Sequence, residues 1–412
     1  MLEFQSTRYN NLTTGNNLMV KPKKVTFFTL FIFILLYPLL EGISNQFIPV
    51  GTKYLGLLVI AIWCLETVQL QYVKIVTSIP LFLIYIIWNA ISVFWSHNTG
   101  LSVDRVIEIL QVFLLYWIIL DVTNSKEYLI KLMEAYFLGI FLLSLTALFN
   151  ILNGQTFDGL YNRFSAFGYD PNNFGILVVS SIPIALAVYS LKGKLWLGIL
   201  YTIISIPLVL SSASRGALIA IVIVLVSYFF IFIRSFKKGF AIGLILLIGI
   251  ILTFYFVPVE SLTRITDNIN DPSAGGRTQA WQLAINLGDE NPLTGIGAGS
   301  FLSVSNTYFS SVINVHNTFL SHWAELGILG VLLWVCLWLL HFKYIVNTKV
   351  NKENFELKIG LLLSVISALI GALFLNWEVR KTIYILWGLC VALKVLRVRR
   401  LDNFEIKKET KN

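Results

Sequence analysis

The sequence predicts an all-α fold: a polytopic membrane helix bundle of about twelve transmembrane helices, both termini cytoplasmic, with a long extracytoplasmic loop carrying short helices. Three observations carry this expectation. The 412 residues are 57% hydrophobic and only 13% charged, about half the charged share of a soluble domain. The apolar residues fall in runs close to the ~20 residues a helix needs to cross the hydrocarbon layer. The lysines and arginines gather in short patches between alternate runs, the bias that keeps cytoplasmic loops positive. That placement accounts for the net charge of +9 without any nucleic-acid partner. Cys64, Cys336 and Cys390 each stand alone in an apolar segment, so neither a disulfide framework nor a metal knuckle is expected.

In chain order, a cytoplasmic segment over 1–24 ends in Lys21, Lys23 and Lys24. The apolar run after it has no small-residue cleavage site and is read as a retained anchor rather than a signal peptide. Expected spans lie near 25–41, 54–70, 75–95, 103–121 and 128–152, then near 173–191, 194–211, 216–233 and 240–257, and finally near 318–342, 359–376 and 382–396. This divides the chain into five spans over 25–152, a core over 153–342, two last spans with their preceding cytoplasmic loop over 343–396, and a cytoplasmic tail over 397–412. The two longest loops, 153–172 and 258–317, then face outward, and chemistry is to be sought there.

Arginines on the outer face run against the positive-inside bias. Arg163 lies in NRFSAFGYDPNNFG, Arg215 in SSASRGALIA, Arg264 in ESLTRITDN and Arg277 in GGRTQAWQLA. A guanidinium is a rigid donor fork that never deprotonates, suited to phosphate or carboxylate oxygens, so an anionic ligand at the outer face is one reading. The other is interface anchoring or local ion pairing. Pairing suits Arg264, which Asp267 and Asp271 follow. Arg215 separates two spans joined by almost no loop, inside the small-residue string Ser211, Ser212, Ala213, Ser214 and Gly216, and boundary arginines of that kind tend to mark ligand paths. Arg277, behind Gly275 and Gly276, is read the same way.

The segment NPLTGIGAGSF over 291–301 lacks the full GxGxxG pattern and follows no strand. It is read as a turn-rich stretch leading the loop back to the membrane, not as a nucleotide loop. The chain has no DxD motif or carboxylate cluster to hold a divalent metal against a nucleotide diphosphate, so neither metal nor cofactor is expected. A transferred group would have to arrive already activated, on a carrier that reaches the outer leaflet.

In INVHNTFLSHWAELGILG, 313–330, a helix is expected to begin near Thr318. His316 then stands at the water boundary, able to accept a proton from a hydroxyl or simply to bond headgroups. His322 and Glu325, three residues apart on one helix face, form a plausible local pair with a supporting role. Glu325, roughly 10 Å inside the helix, needs a partner, which His322 or an outward arginine could supply.

The run from His316 and Asn317 through Gly327 to Gly330 resembles the signature of the bacterial O-antigen ligase family, which also contains polysaccharide polymerases. So do SSASRG, the GR before Trp281, PLTGIGAGSF and DPNNFG. The similarity covers roughly 163–331 in consistent order, with Val331 where the signature usually has Thr. The resemblance implies a metal-independent, inverting membrane glycosyltransferase of the C type in the bacterial cytoplasmic (inner) membrane, active on its extracytoplasmic face. It would move a glycan from a polyprenyl diphosphate (undecaprenyl diphosphate) to an acceptor hydroxyl on a glycan or lipid, as a ligase or a repeat-unit polymerase. It further implies His316 as the catalytic residue, Arg215 and Arg277 as diphosphate ligands, and Arg163 and Asn317 as substrate contacts. The lipid bilayer and other polysaccharide assembly proteins are the further partners expected.

A polysaccharide or lipid transporter, or flippase, is the rival from another class. It would scatter charge near the midplane and repeat its halves; here the ionisable residues gather beside long external loops.

Overall fold

A computed structural model describes residues 22–46, 51–157, 163–232, 277–309 and 313–409, with three isolated positions at 243, 248 and 251. The span expected over 240–257, apart from those positions, and Arg264 with Asp267 and Asp271 lie outside the described residues.

The protein is all-α. Thirteen α-helices form among the described residues: α1 Lys24–Gln46, α2 Gly51–Leu70, α3 Ser78–Ser92, α4 Thr99–Val122, α5 Lys126–Leu152, α6 Pro171–Leu191, α7 Leu195–Ser211, α8 Arg215–Phe232, α9 Arg277–Glu290, α10 Phe301–Phe309, α11 Thr318–Asn347, α12 Lys352–Phe374 and α13 Lys381–Glu409. Seven are long and apolar enough to cross a membrane: α1, α2, α3 with its following turn, α5, α6, α11 and α12. α7 and α8 are apolar but shorter. α4 begins with Asp104, Arg105 and Glu108, and α13 carries Lys394 and Arg397, which sets both apart from a plain lipid-facing helix.

Helix starts follow from local chemistry. Asn98 caps α4 by accepting from Leu101 N at 3.1 Å, and Ser125 caps α5 from Tyr128 N at 3.2 Å. Asp170 caps α6, with Pro171 in the first turn, where a missing N–H costs nothing. α6 is the hub of the bundle. It packs on α5, α7, α8 and α12, and most of its length is buried. Its approach to α12 is close because Gly360 has no side chain: a Cβ there would lie 2.8 Å from the Pro183 carbonyl oxygen. Small residues at helix contacts are the usual route to tight packing where lipid competes with every apolar side chain. α2 stands at the periphery, against α1 and α4, and exposes Leu58, Leu65 and Val68.

One end of the bundle is closed by a polar knot: buried Asp121 pairs with Lys23 and accepts from Trp63 Nε1 at 2.7 Å and from Lys74 N at 2.8 Å. At the other end the connections over 153–157, 163–170, 212–214, 291–300, 313–317 and 375–380 come together. Most of the residues singled out in the sequence lie there.

Candidate active site at the loop end of the bundle

The DPNN turn organises the first part of the site. Asp170 Oδ1 accepts from the backbone N–H groups of Asn172 and Asn173 at 2.9 and 3.2 Å. Asn172 Oδ1 accepts from Arg163 at 3.2 Å, and Asn173 Oδ1 from Trp377 Nε1 at 2.7 Å. Arg163, expected as a substrate contact, is buried and donates from Nε to the Ser212 carbonyl at 3.0 Å, while Phe164 N donates to the Ser211 carbonyl at 3.0 Å. Arg163 therefore fastens the DPNN turn to the SSASRG turn.

In SSASRG the chain reverses between α7 and α8. Ala213 adopts φ +47°, a left-handed conformation that costs a residue with a Cβ on the order of 1 kcal/mol or more. The small residues allow close approach here: a Cβ on Gly175 would lie 2.7 Å from the Ala217 Cβ and 2.9 Å from Ser212 Oγ. Arg215 follows as the first residue of α8. It is exposed, and its guanidinium has no ion-pair or hydrogen-bond partner among the described residues.

The second part is built from α9, the 291–300 loop and α11. Arg277 opens α9, half-buried. Trp281, one turn on, donates from Nε1 to the Val315 carbonyl at 2.8 Å, anchoring the segment that carries His316. A small core of Ala280, Leu283, Ala284, Phe301, Val315 and Ala324 lies beneath.

α11 is broken at Gly327, at φ +63° and ψ −165°. The break frees backbone groups, and the 291–300 loop takes them. Ile296 N and Gly297 N donate to the carbonyls of Ala324 (3.0 Å) and Glu325 (2.8 Å), and Ile328 N donates to the Pro292 carbonyl at 2.8 Å. Gly295, at φ +65°, and Gly327 make this possible: a Cβ on the first would lie 2.3 Å from the Glu325 carbonyl carbon, and one on the second 2.5 Å from that of Leu293. The turn-rich reading of NPLTGIGAGSF holds, and the segment also completes a broken helix.

The expected His322–Glu325 pair does not form. His322 donates from Nδ1 to the Thr318 carbonyl at 2.8 Å, and its Nε2 meets the Tyr85 hydroxyl at 2.8 Å. Glu325 instead accepts from Gly299 N (2.9 Å) and Phe301 N (3.1 Å) and lies 4.0 Å from Arg105 Nη1. Two charge-assisted backbone bonds outweigh an i,i+3 side-chain contact worth a few tenths of a kcal/mol, roughly. The arginine nearest Glu325 is Arg105, which is not among the four singled out in the sequence. Asn317 caps α11, its Oδ1 accepting from Phe319 N (2.9 Å) and Leu320 N (3.0 Å), which leaves only its amide nitrogen for a substrate.

His316 is different from the other histidines near it. Its backbone sits at φ +53°, and its ring nitrogens have no hydrogen-bond partner among the described residues. Burial lowers its pKa below the usual histidine value, the Arg277 cation lowers it further, and the Asp170 carboxylate opposes both. Arg277 and Asp170 are thus each within electrostatic reach of His316, and the net shift favours the neutral imidazole. Arg215 is joined to this group through α12. Gly216 packs on Phe374, and the neighbouring Leu375 carbonyl accepts from Thr318 Oγ1 at 2.7 Å, two residues from His316.

A third set of residues carries no sequence signal beyond charge. Arg105 pairs with Glu378 and lies 3.4 Å from Glu108, while Glu41 takes Arg380 at 2.5 Å and Lys381 at 3.0 Å. Burial alone would raise the Glu378 carboxyl, but Arg105 overrides it and holds the group below the ordinary range. These charges line a cavity of about 580 Å³ that also meets Asn314, in the His316 segment. Its hint in the sequence is charge alone, in cations other than the four arginines. Among the described residues no three His, Cys, Asp or Glu side chains are grouped to hold a metal ion.

No curated protein matches the chain. Residues 200–335, which contain SSASRG, Trp281, the 291–300 loop and His316, match a family model described as O-antigen ligase.

Proposed function

We propose, from the match of residues 200–335 to a family model described as O-antigen ligase, that this multi-pass membrane protein transfers a glycan from an outward-facing polyprenyl diphosphate to an acceptor hydroxyl during cell-surface polysaccharide synthesis. Its site would face the extracytoplasmic side of the bacterial cytoplasmic membrane. The observation that carries the reading is His316: a neutral imidazole with uncommitted nitrogens on a left-handed backbone, beside Arg277 and Asp170.

The chemistry divides between the residues. The acceptor hydroxyl must lose a proton as it attacks the anomeric carbon. His316 takes that proton or orients the hydroxyl, in either case as the neutral base. The bond to the diphosphate breaks on the opposite face of the sugar, inverting its configuration. Diphosphate is already a good leaving group, so the larger task is to hold its developing charge. Arg215 and Arg277 each open a helix, so a guanidinium and the positive end of a helix dipole act on the same anion. The reading needs neither cofactor nor metal.

The test is His316→Ala in the native host, with lipid-linked glycans and surface polysaccharide profiled together at wild-type protein levels. Loss of surface polysaccharide with single lipid-linked repeats accumulating identifies a polymerase, and accumulation of long lipid-linked chains a ligase. An unchanged profile rules out the reading.

A further inference from the structure

At the knot end of the bundle, Lys23 is held by Asp121, Lys192 by Glu134 and Lys131 by Glu127. Lys74 Nζ donates to the Leu120 and Thr123 carbonyls at the end of α4, and Lys358 Nζ donates to those of Val346 and Thr348 at 2.7 and 3.0 Å. Lys343, near the end of α11, and Lys394, on α13, differ from these. Neither has a carboxylate or a hydrogen-bond acceptor among the described residues. The charge that acts on Lys394 is the like charge of Lys343.

The position of Lys394 is fixed. α13 packs on α11, is buried from Thr382 to Leu393, and reaches the surface at Lys394. The Lys394 ammonium lies 4.0 Å from the centroid of the buried Tyr344 ring, whose hydroxyl is bonded to Thr77 at the start of α3. Two like charges held close by packed helices repel each other unless an anion lies against both.

The neighbouring surface says which anion. Leu332, Cys336, Leu339, Lys343 and Val346 recur at intervals of four and three residues, so they share one face of α11, and all are exposed. Lys343 therefore stands at the end of an apolar stripe. A single lysine there is an ordinary snorkelling side chain; a second one, fixed on another helix, makes a two-pronged site. A phosphodiester has one negative charge and two unesterified oxygens, one for each ammonium, and its acyl chains can follow the stripe. Phosphatidylethanolamine carries the same phosphate with an ammonium of its own, which a lysine pair repels. A headgroup without a cation, as in phosphatidylglycerol, suits the pair, in keeping with the way basic clusters at helix ends select anionic lipids.

We propose that Lys343 and Lys394 form a binding site for an anionic phospholipid between α11 and α13, with the headgroup phosphate bridging the two ammonium groups and the acyl chains along Leu339, Cys336 and Leu332. The site lies at the opposite end of α11 from His316 and does not depend on the transferase reading.

The experiment has two arms, both on the full chain. In the first, benzoylphenylalanine replaces Leu339, or the comparably exposed Leu65 on α2 as a control, and the protein is placed in vesicles of phosphatidylethanolamine and phosphatidylglycerol in equal amounts. Light-induced adducts identified by mass spectrometry should be enriched in phosphatidylglycerol at 339 over 65, and millimolar inorganic phosphate should not remove the enrichment. Equal lipid ratios at the two positions overturn the proposal, and so does displacement by inorganic phosphate, which would make this a free-anion site. In the second arm, phosphatidylglycerol is titrated onto the protein in detergent and counted by native mass spectrometry. The double variant Lys343→Gln with Lys394→Gln should bind it about 30-fold more weakly, the worth of two cations near an anionic headgroup. Lys349→Gln with Lys352→Gln removes the same charge from exposed positions at the same end and should bind as the wild type does. Equal losses in the two double variants would reduce the effect to diffuse charge and overturn the site. The first arm leaves both lysines in place, so it decides the question even where the Lys343 and Lys394 variant does not fold.

Discussion

At one end of the bundle, Asp121 is buried with both oxygens committed: Lys23 and Trp63 on one, Lys74 N on the other. Lys74 in turn donates from Nζ to the carbonyls of Leu120 and Thr123 at 2.9 and 3.0 Å. At the loop end, polar groups are left over. Arg215 has no partner, the His316 ring has none, and Glu378 Oε2 and Asn376 Oδ1 accept from nothing among the described residues. A buried charge that is fully bonded holds helices together, whereas polar groups without partners in a packed molecule are where a ligand contributes. The two ends differ in their charged groups: those around Asp121 are paired, whereas at the loop end, on the proposed reading, a cation and an imidazole stay available to a ligand. Each end also holds a buried amide oxygen without a partner among the described residues, Asn124 at one and Asn376 at the other.

The largest effect expected from disturbing this contrast is on stability. Asp121→Ala leaves buried Lys23 without its counter-ion, with the Thr67 hydroxyl as its remaining acceptor, and should cost about 3–5 kcal/mol, the scale for removing one partner of a buried pair. Thermal melting in detergent should show it, with product per folded molecule unchanged. Gly327→Ala strikes the loop end's scaffold instead. It places a Cβ against the Leu293 carbonyl at a left-handed position, a strain of about 1–3 kcal/mol, and should lower both melting temperature and turnover by undocking the 291–300 loop.

These two sites also mark how far the sequence could be read. Hydropathy runs locate the helices, because burial in lipid demands them, and α4 differs only in that its first turns carry charge for the cavity. His316, Arg215 and Arg277 stand out because, on the topology expected from the sequence, outward cations and a boundary histidine run against the membrane's own preferences. The Arg105–Glu378 pair joins residues 273 positions apart, and no periodicity reports such a contact. The break at Gly327 was equally hidden. The 291–300 loop that docks at the break presents Gly299 N and Phe301 N to Glu325, so an inference from i,i+3 spacing fails where backbone donors compete for the carboxylate. Asn317 and Arg163 carry motif positions, yet their main bonds are to backbone: one caps α11 and the other ties two turns together.

Smaller effects sharpen the loop end itself. Trp281→Phe keeps an aromatic ring, smaller than indole, and removes the bond to the Val315 carbonyl, a loss of about 1 kcal/mol for the bond. Turnover should drop with little change in melting temperature, since only the His316 segment is loosened. Asp170→Asn keeps an oxygen for the α6 cap while removing the charge that raises the His316 pKa. The base is active when neutral, so the acid limb of the rate profile should already lie below 6.5 in the wild type and move lower still in this variant. A limb that moves upward would disconnect Asp170 from His316.

The most direct test of the contrast compares Arg215→Ala with Asp121→Ala in a single preparation, each scored for melting temperature and for surface glycan per folded molecule. Arg215 has no partner to lose among the described residues, so its removal should leave melting unchanged and reduce product about 100-fold or more, the scale of losing a charge-stabilising donor. Asp121→Ala should do the reverse. Full product from a well-folded Arg215→Ala variant, or a melting loss in that variant matching that of Asp121→Ala, would contradict the account.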